Sequence, residues 1–281
     1  MPKNLSRRKF LAALGLATAG GVFYARVIES HWLTIGRHTI RLGREPGGPP
    51  LKILHLSDLH ASRVVSLGFI SEAIRVGLGL GPDLICLTGD YITRGFDELA
   101  GYAEVLKPLA GSAPAFACLG NHDGGLWAAR RRGYADTNRV REVLSQAGVT
   151  LLHNSARAIR IGNRELRLVG LGDMWAGELQ PAVAFASLPP DGATTIVLSH
   201  NPDTKDSLKV YQWDLLLCGH THGGQVRLPF VGSLVSSVRD KRFEQGLHRW
   251  EDRWVHVTRG VGSLLGLRFN CPPEVSLITV T

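Results

Sequence analysis

The sequence predicts an α/β (α+β) protein built from two packed β-sheets with helices on their outer faces, and three observations carry that expectation. Between Leu51 and Ala147, short apolar runs of strand type alternate with stretches of helical apolar spacing. From residue 150 onward the strand signals cluster, as a second sheet would require. Glycine supplies 33 of the 281 residues, which suits the tight turns and close backbone approaches of an α/β or all-β protein better than a helical bundle. The length accommodates one large domain with a well-buried core.

Residues 1–28 read as an address rather than as part of that domain. Lys3, Arg7, Arg8 and Lys9 form a basic start, and Phe10 to Tyr24 follow as an uncharged, largely apolar stretch. The segment Ser6-Arg7-Arg8-Lys9-Phe10-Leu11 resembles a twin-arginine export signal, which is a receptor-read address. The stretch falls short of the ~20 apolar residues that a bilayer crossing needs, so export is favoured over a spanning anchor. No small-x-small cleavage site stands out. The expected location is the periplasm or the outer face of the inner membrane, with an uncleaved signal able to serve as a tether.

Residues 29–50 hold a predicted short strand, Thr39 to Leu42, and then the Gly/Pro linker EPGGPP. The main domain is expected over residues 51–281. Strands are predicted at Leu51 to Leu56, Asp83 to Leu87 and Ala115 to Leu119, each a short, mainly apolar run of buried type. Helices are predicted at Leu67 to Leu80, Phe96 to Leu106 and Thr137 to Ala147, the last with Thr137 or Asn138 as its N-cap. A hairpin is expected around Gly162-Asn163, and further strands at Thr194 to Leu198, Asp214 to Cys218, Trp254 to Thr258 and Val275 to Val280.

The four cysteines show no C-x-x-C spacing, so neither a zinc ribbon nor a thioredoxin-like redox site is indicated. Cys86, Cys118 and Cys218 sit inside apolar runs, where a free thiol behaves as a small hydrophobe. The formal net charge of +8 favours anionic partners such as lipid head groups, nucleic acid or phosphorylated small molecules.

The residues able to do chemistry stand at the carboxyl ends of the predicted strands. Asp58 and His60 come after the first run, Gly89-Asp90 after the second, and Gly120-Asn121-His122-Asp123 after the third. His200 succeeds Thr194 to Leu198, and Gly219-His220-Thr221-His222 succeeds Asp214 to Cys218. In α/β sheets ligands bind outside the carboxyl ends of strands, so these five ends can converge on one site. Glycine before Asp90, Asn121 and His220 suits sharp turns that aim the next side chain. A donor set of carboxylates, one amide oxygen and imidazoles, without thiolate, suits Mn, Fe(II), Zn or Ni. Any one of these motifs is weak evidence. The ordered series is strong, and it takes five of the chain's 11 histidines.

The series Asp58-x-His60, Gly89-Asp90, Gly120-Asn121-His122-Asp123, His200 and Gly219-His220-x-His222 resembles the calcineurin-like metallophosphoesterases over residues 51–281. The segments CGHTHGGQ (Cys218 to Gln225) and RGVGSLLGLRFNCPPEV (Arg259 to Val275) point further, to a bacterial subgroup of twin-arginine-exported phosphodiesterases. The resemblance implies a four-layer sandwich of two central sheets flanked by helices. It also implies two divalent metal ions, manganese foremost. One would be held by Asp58, His60, Asp90 and His222, the other by Asp90, Asn121, His200 and His220, with Asp90 between them. His122 is implied as the group that assists the leaving oxygen, with Asp123 as a candidate to orient it. Arg94 and Arg268 are carried over as phosphate contacts.

Arg130 and Arg131, with Arg132, closely follow the Asn121-His122-Asp123 loop and are candidates to bind a phosphate bidentately. The apolar C-terminal loop (Leu264, Leu265, Leu267, Phe269) is either core or a surface for acyl chains. The expected substrate is a phosphodiester of the envelope, lipid-linked or free; export argues against nucleic acid. A UDP-2,3-diacylglucosamine-type pyrophosphatase and an inactive metal-holding binding protein are the competing readings.

Overall fold

The computed structural model describes residues 6–42, 49–186, 188 and 192–281. Lys3 and most of the Gly/Pro linker therefore lie outside the described residues. The strands are β1 Thr34–Ile40, β2 Leu51–Leu56, β3 Leu84–Thr88, β4 Ala115–Cys118, β5 Thr150–Leu151, β6 Ser155–Ile161 and β7 Arg164–Gly170. They continue with β8 Thr194–Leu198, β9 Leu215–Cys218, β10 Arg227–Leu228, β11 Gly232–Ser233, β12 Gly246–Trp250, β13 Arg253–Val257 and β14 Glu274–Val280. The helices are α1 Arg7–Phe23, α2 Leu67–Leu78, α3 Leu99–Ser112, α4 Gly125–Ala129, α5 Asn138–Gln146 and α6 Pro181–Phe185.

Two six-stranded sheets form, in the orders β1-β14-β2-β3-β4-β5 and β12-β13-β9-β8-β7-β6, with β10 and β11 as a separate ribbon. Strands β2, β3 and β4 run parallel, as do β7, β8, β9 and β13, so each sheet gathers carboxyl ends on one edge.

Period-2 alternation explains why the central strands read as unbroken apolar runs. In β2 and β3, Ile53, Leu84 and Cys86 face the other sheet, where they meet Ile196, Leu198 and Leu217. Their neighbours Leu54, Leu56, Ile85 and Leu87 face the other way, onto a layer that includes Ile70 and Ile74 of α2 and Leu106 of α3. The outer face of the second sheet is covered around Trp213, Leu208 and Phe243. Four layers result. Each fully buried Leu or Ile contributes ~1.5–3 kcal/mol to holding them together.

Local signals place most elements correctly to within a few residues. Helix α2 buries Ile70, Ala73, Ile74 and Gly77 at i, i+3, i+4 and i+7, and Ser66 caps it by accepting from Phe69 N. The hairpin turns at Gly162-Asn163 as expected. Helix α5 starts at Asn138, but the side chain that accepts at its start is Asp136, from Asn138 N at 2.9 Å. Strand β1 begins five residues before the expected start, because its partner is β14 in parallel, Thr34 opposite Glu274. A pairing across 240 residues leaves no local trace. Strand β12 was not expected and pairs antiparallel with β13.

The N-terminal expectation changes in two respects, its independence from the domain and its length. No residue of α1 is buried, but Ala25 and Glu29 are. Ala25 O accepts from Arg268 N at 2.9 Å, and a Glu29 carboxylate oxygen accepts from Cys271 N at 2.5 Å. The chain is thus docked from Ala25 onward, inside the stretch expected to stand apart. Helical turns continue from Arg7 to His31, long and apolar enough to cross a membrane by length and composition, as a signal sequence also is.

Candidate metal centre

The loops after β2, β3, β4, β8 and β9 bring the seven candidate ligands to one buried site between the sheet edges. Asp58, His60, Asp90, Asn121, His200, His220 and His222 are all less than one-tenth exposed. Five of them hold the left-handed backbone region, with φ of 53° at Asp58, 50° at His60, 55° at Asp90, 71° at His220 and 50° at His222. Non-glycine residues rarely adopt it, and each such position costs of the order of 1–3 kcal/mol unless the surroundings enforce it. Here they do. Asp58 N donates to Gly89 O and His60 N to Asp90 O, stitching the first two loops together. Gly219 leaves no room for a side chain, since a Cβ there would collide with Asp58 Oδ2.

The donor atoms face one another. Asp90 Oδ2 lies 3.1 Å from His200 Nε2 and 3.5 Å from His60 Nε2, so one oxygen looks at both halves of the site. His222 Nε2 lies 3.4 Å from Asp58 Oδ1 and 3.0 Å from His60 Nε2. Asp58, His60 and His222 form one group of donors close enough to share an ion, and Asp58, Asp90 and His200 form another. His200 Nδ1 donates to Thr88 O at 2.7 Å, which fixes the ring so that Nε2 faces Asp90.

Burial holds His60 down to about 3, and holds His220 and His222 well below the ordinary histidine range, so these imidazoles are neutral, the form that ligates metal. Burial also pushes Asp58 up to about 6. At His200 burial opposes the charged form, but Asp90, Asp58 and Asp173 outweigh it and raise the group well above its usual value. At Asp90 burial again disfavours charge, and the surrounding histidines, His200 first, hold the carboxyl well below its usual range. Carboxylate oxygens of Asp58 and Asp90 thus converge with imidazole nitrogens on one buried point, as a cation site requires. Asn121 Oδ1 and His220 Nε2 are buried without a hydrogen-bond partner. Leaving such atoms unmade costs ~1–3 kcal/mol each, a cost that a metal ion at this point removes. The donor set and its orphaned atoms fit divalent metal.

His122 opens onto a cleft of about 730 Å³ that also exposes Asp90, Asn121, His220 and His222. Its Nδ1 donates to Thr93 O at 2.9 Å, which leaves Nε2 for the cleft. Asp123, expected to orient His122, does not. It is fully buried, and its carboxylate accepts from Asp90 N, Gly120 N and Tyr91 N at 2.9, 2.7 and 2.7 Å. Asp123 clamps the Asp90 loop to the Asn121 loop, and Thr93 orients His122.

Arg94, Arg130 and Arg131 line the cleft, Arg131 lying 3.8 Å over the Trp127 ring. Arg268 does not. It is completely buried and donates to the carbonyls of His222, Cys271, Arg259, Gly260 and Gly262, so the phosphate contact expected of it is withdrawn. Sequence reasoning missed Thr93, Trp175 and Asp173. Trp175 packs 4.1 Å from the His220 ring, centroid to centroid. Asp173 follows β7 and is buried, one Oδ accepting from Ala176 N. Gly172-Asp173 repeats the Gly89-Asp90 signal, so this sixth strand end was discoverable.

The fold and the site together define a metallophosphoesterase. Residues 51–224 match the model of the calcineurin-like phosphoesterases, and the chain belongs to that family. It is a hydrolase acting on phosphoester bonds. Among its relatives, phosphodiesterase YaeI of Escherichia coli is 45% identical over 98% of both chains. The uncharacterized metallophosphoesterase YkuE of Bacillus subtilis is 30% identical, over 99% of this chain and 98% of its own. The UDP-2,3-diacylglucosamine pyrophosphatase LpxG of Chlamydia trachomatis is 30% identical over 81% of this chain and 83% of its own. In fold, the chain is similar to the NAD nucleotidase of Haemophilus influenzae, with a TM-score of 0.50, 13% identity, and coverage of 76% of this chain and 46% of that one.

Proposed function

We propose that the protein is a dinuclear-metal phosphodiesterase, manganese-loaded, whose substrate is a lipid-linked phosphodiester at the membrane surface. The observation that carries it is the juxtaposition of the buried carboxylate–imidazole centre with an arginine-lined cleft whose walls include Leu264, Leu265 and Val235. The 45% identity to a phosphodiesterase supports the diester specificity. Asp58, His60, Asp90 and His222 would hold one ion, and Asp90, Asn121, His200 and His220 the other. Bound there, two divalent ions neutralise phosphoryl charge and lower the pKa of water toward neutrality. Arg94, Arg130 and Arg131 bind and orient the anionic ester, and Trp127 and Trp175 wall it from solvent. His122, held by Thr93 O, donates from Nε2 to the departing oxygen.

The N-terminal segment is proposed as a twin-arginine signal that remains as a tether, placing the cleft on the outer face of the inner membrane. Kinship with LpxG supports a second reading, cleavage of a lipid-linked diphosphate by the same centre.

The test is hydrolysis of bis-p-nitrophenyl phosphate by purified protein. Activity lost to EDTA and restored by Mn²⁺ is the expected result. Metal bound without hydrolysis overturns the enzyme reading in favour of a metal-holding binding protein. His122→Ala is expected to cost ~10²–10⁴-fold on an alkyl diester with a poor leaving group, and far less on p-nitrophenyl esters, because only the former needs a proton. Equal losses on both would remove His122 from that role.

A further inference from the structure

The metal cleft does not end at His122. A second cavity of about 910 Å³ adjoins it and shares Thr93, Arg94, Arg132, Leu264 and Leu265 with it. The further walls of this cavity include Arg26, Arg63, Val64, Phe96 and Leu267. Arg26 lies in the turn that continues α1, three residues beyond Phe23, so the cavity runs from the metal centre to the foot of the apolar N-terminal helix. Part of its apolar lining is exposed, Leu265 by 62% and Val64 by 44%, whereas Phe96 packs against the core. Arg26, Arg63, Arg94 and Arg132 are exposed beside them, with Asp97 and Glu98 on the same wall.

The opposite rim is also apolar. The β10–β11 ribbon exposes Phe230 and Val231, and Leu234 and Val235 just beyond it are exposed too, Val235 lining the metal cleft. Pro229, at the tip of the ribbon, shares a smaller cavity with Tyr24 and Trp32 at the foot of the same helix. Exposed hydrophobic side chains flanked by arginine thus surround the helix foot and the mouth of the site together. Such a surface partitions to a lipid–water interface, where apolar groups enter the acyl boundary and cations meet anionic head groups. A bilayer that held α1 would meet this surface first.

Resting on the lipid-linked reading above, we propose that the second cavity is the entry and holding subsite for a lipid anion, which reaches the metal centre from the bilayer plane. Its acyl chains lie along Val64, Leu264, Leu265 and Leu267. Arg26 and Arg63 hold an anionic group that is not cleaved.

The experiment uses the full-length protein in detergent and follows bis-p-nitrophenyl phosphate hydrolysis, with dihexanoyl phosphatidylglycerol or chain-free glycerophosphoglycerol as competitor. The lipid is expected to inhibit at a concentration at least ~10-fold lower than the chain-free diester, since its methylenes leave water in the cavity. The double substitution Val64→Asp/Arg63→Glu is expected to abolish that advantage and leave uninhibited turnover within about twofold. A parent enzyme with the advantage, and a variant that keeps it, overturns the subsite alone. A parent with no preference for the lipid overturns the lipid-linked reading and the subsite with it. If the double variant loses uninhibited turnover through misfolding, Val64→Ser alone is expected to halve the advantage or more, and an unchanged advantage overturns the subsite.

Discussion

Asp90→Asn is expected to lower kcat/KM at least ~10³-fold, about 4 kcal/mol at 1.4 kcal/mol per decade, and to reduce the bound metal measured by mass spectrometry. The reasoning is geometric. Asp90 Oδ1 accepts from His122 N at 2.8 Å, and an asparagine oxygen can replace it there. That orientation turns the amide NH₂ toward His60 Nε2 and His200 Nε2, where Asp90 Oδ2 now lies. A donor then occupies the point at which both halves of the site need an anion. The fold should survive, because the substitution is nearly isosteric and Asp123 still clamps the loop through Asp90 N. Full metal content with activity within tenfold of the parent would refute the shared-oxygen assignment.

Arg268→Met is expected to destabilise the protein by ~3–5 kcal/mol, the cost of emptying one side of a buried charged hydrogen-bond network. On the per-residue scaling of unfolding entropy that amounts to a fall in Tm of roughly 5–8 °C. Arg268 gathers carbonyls from the His222 turn, the Arg259–Gly262 segment and Cys271. The same segment grips the first ligand loop, with Val261 N donating to Ser57 O and Gly262 N to Asp58 O. Losing the guanidinium therefore loosens Asp58 and His222 together, and metal affinity should fall with Tm. Arg268→Lys should recover part of the stability, since an ammonium supplies three donors but not the planar fork. An unchanged Tm with a raised KM would instead return Arg268 to the substrate, as the resemblance alone implied.

Those two positions show where local reading succeeds and where it stops. The Asp90 motif was legible because a largely apolar strand is followed by glycine and then a carboxylate, a pattern set by burial on both faces and turn sterics within a few residues. Arg268 was misread because a motif carries no record of depth. Whether an arginine meets phosphate or a ring of carbonyls depends on chain brought in from residues 222 and 259–262. Asp123 was misassigned for the same reason: adjacency in sequence suggested His122, but its carboxylate spans to the backbone of the Asp90 loop 33 residues away.

The sequence by itself determined the alternation of strands and helices, the strand ends that bear ligands, and the mixed oxygen–nitrogen chemistry of the site. Each follows from burial, turn geometry and donor type, which neighbouring residues define. Only the tertiary structure decided that β1 pairs with β14, that Thr93 rather than Asp123 holds His122, and that the metal cleft adjoins a second cavity lined by Arg26 at the foot of the N-terminal helix. These rest on contacts between distant segments, where the energy lies in packing and hydrogen-bond satisfaction that no window of sequence contains.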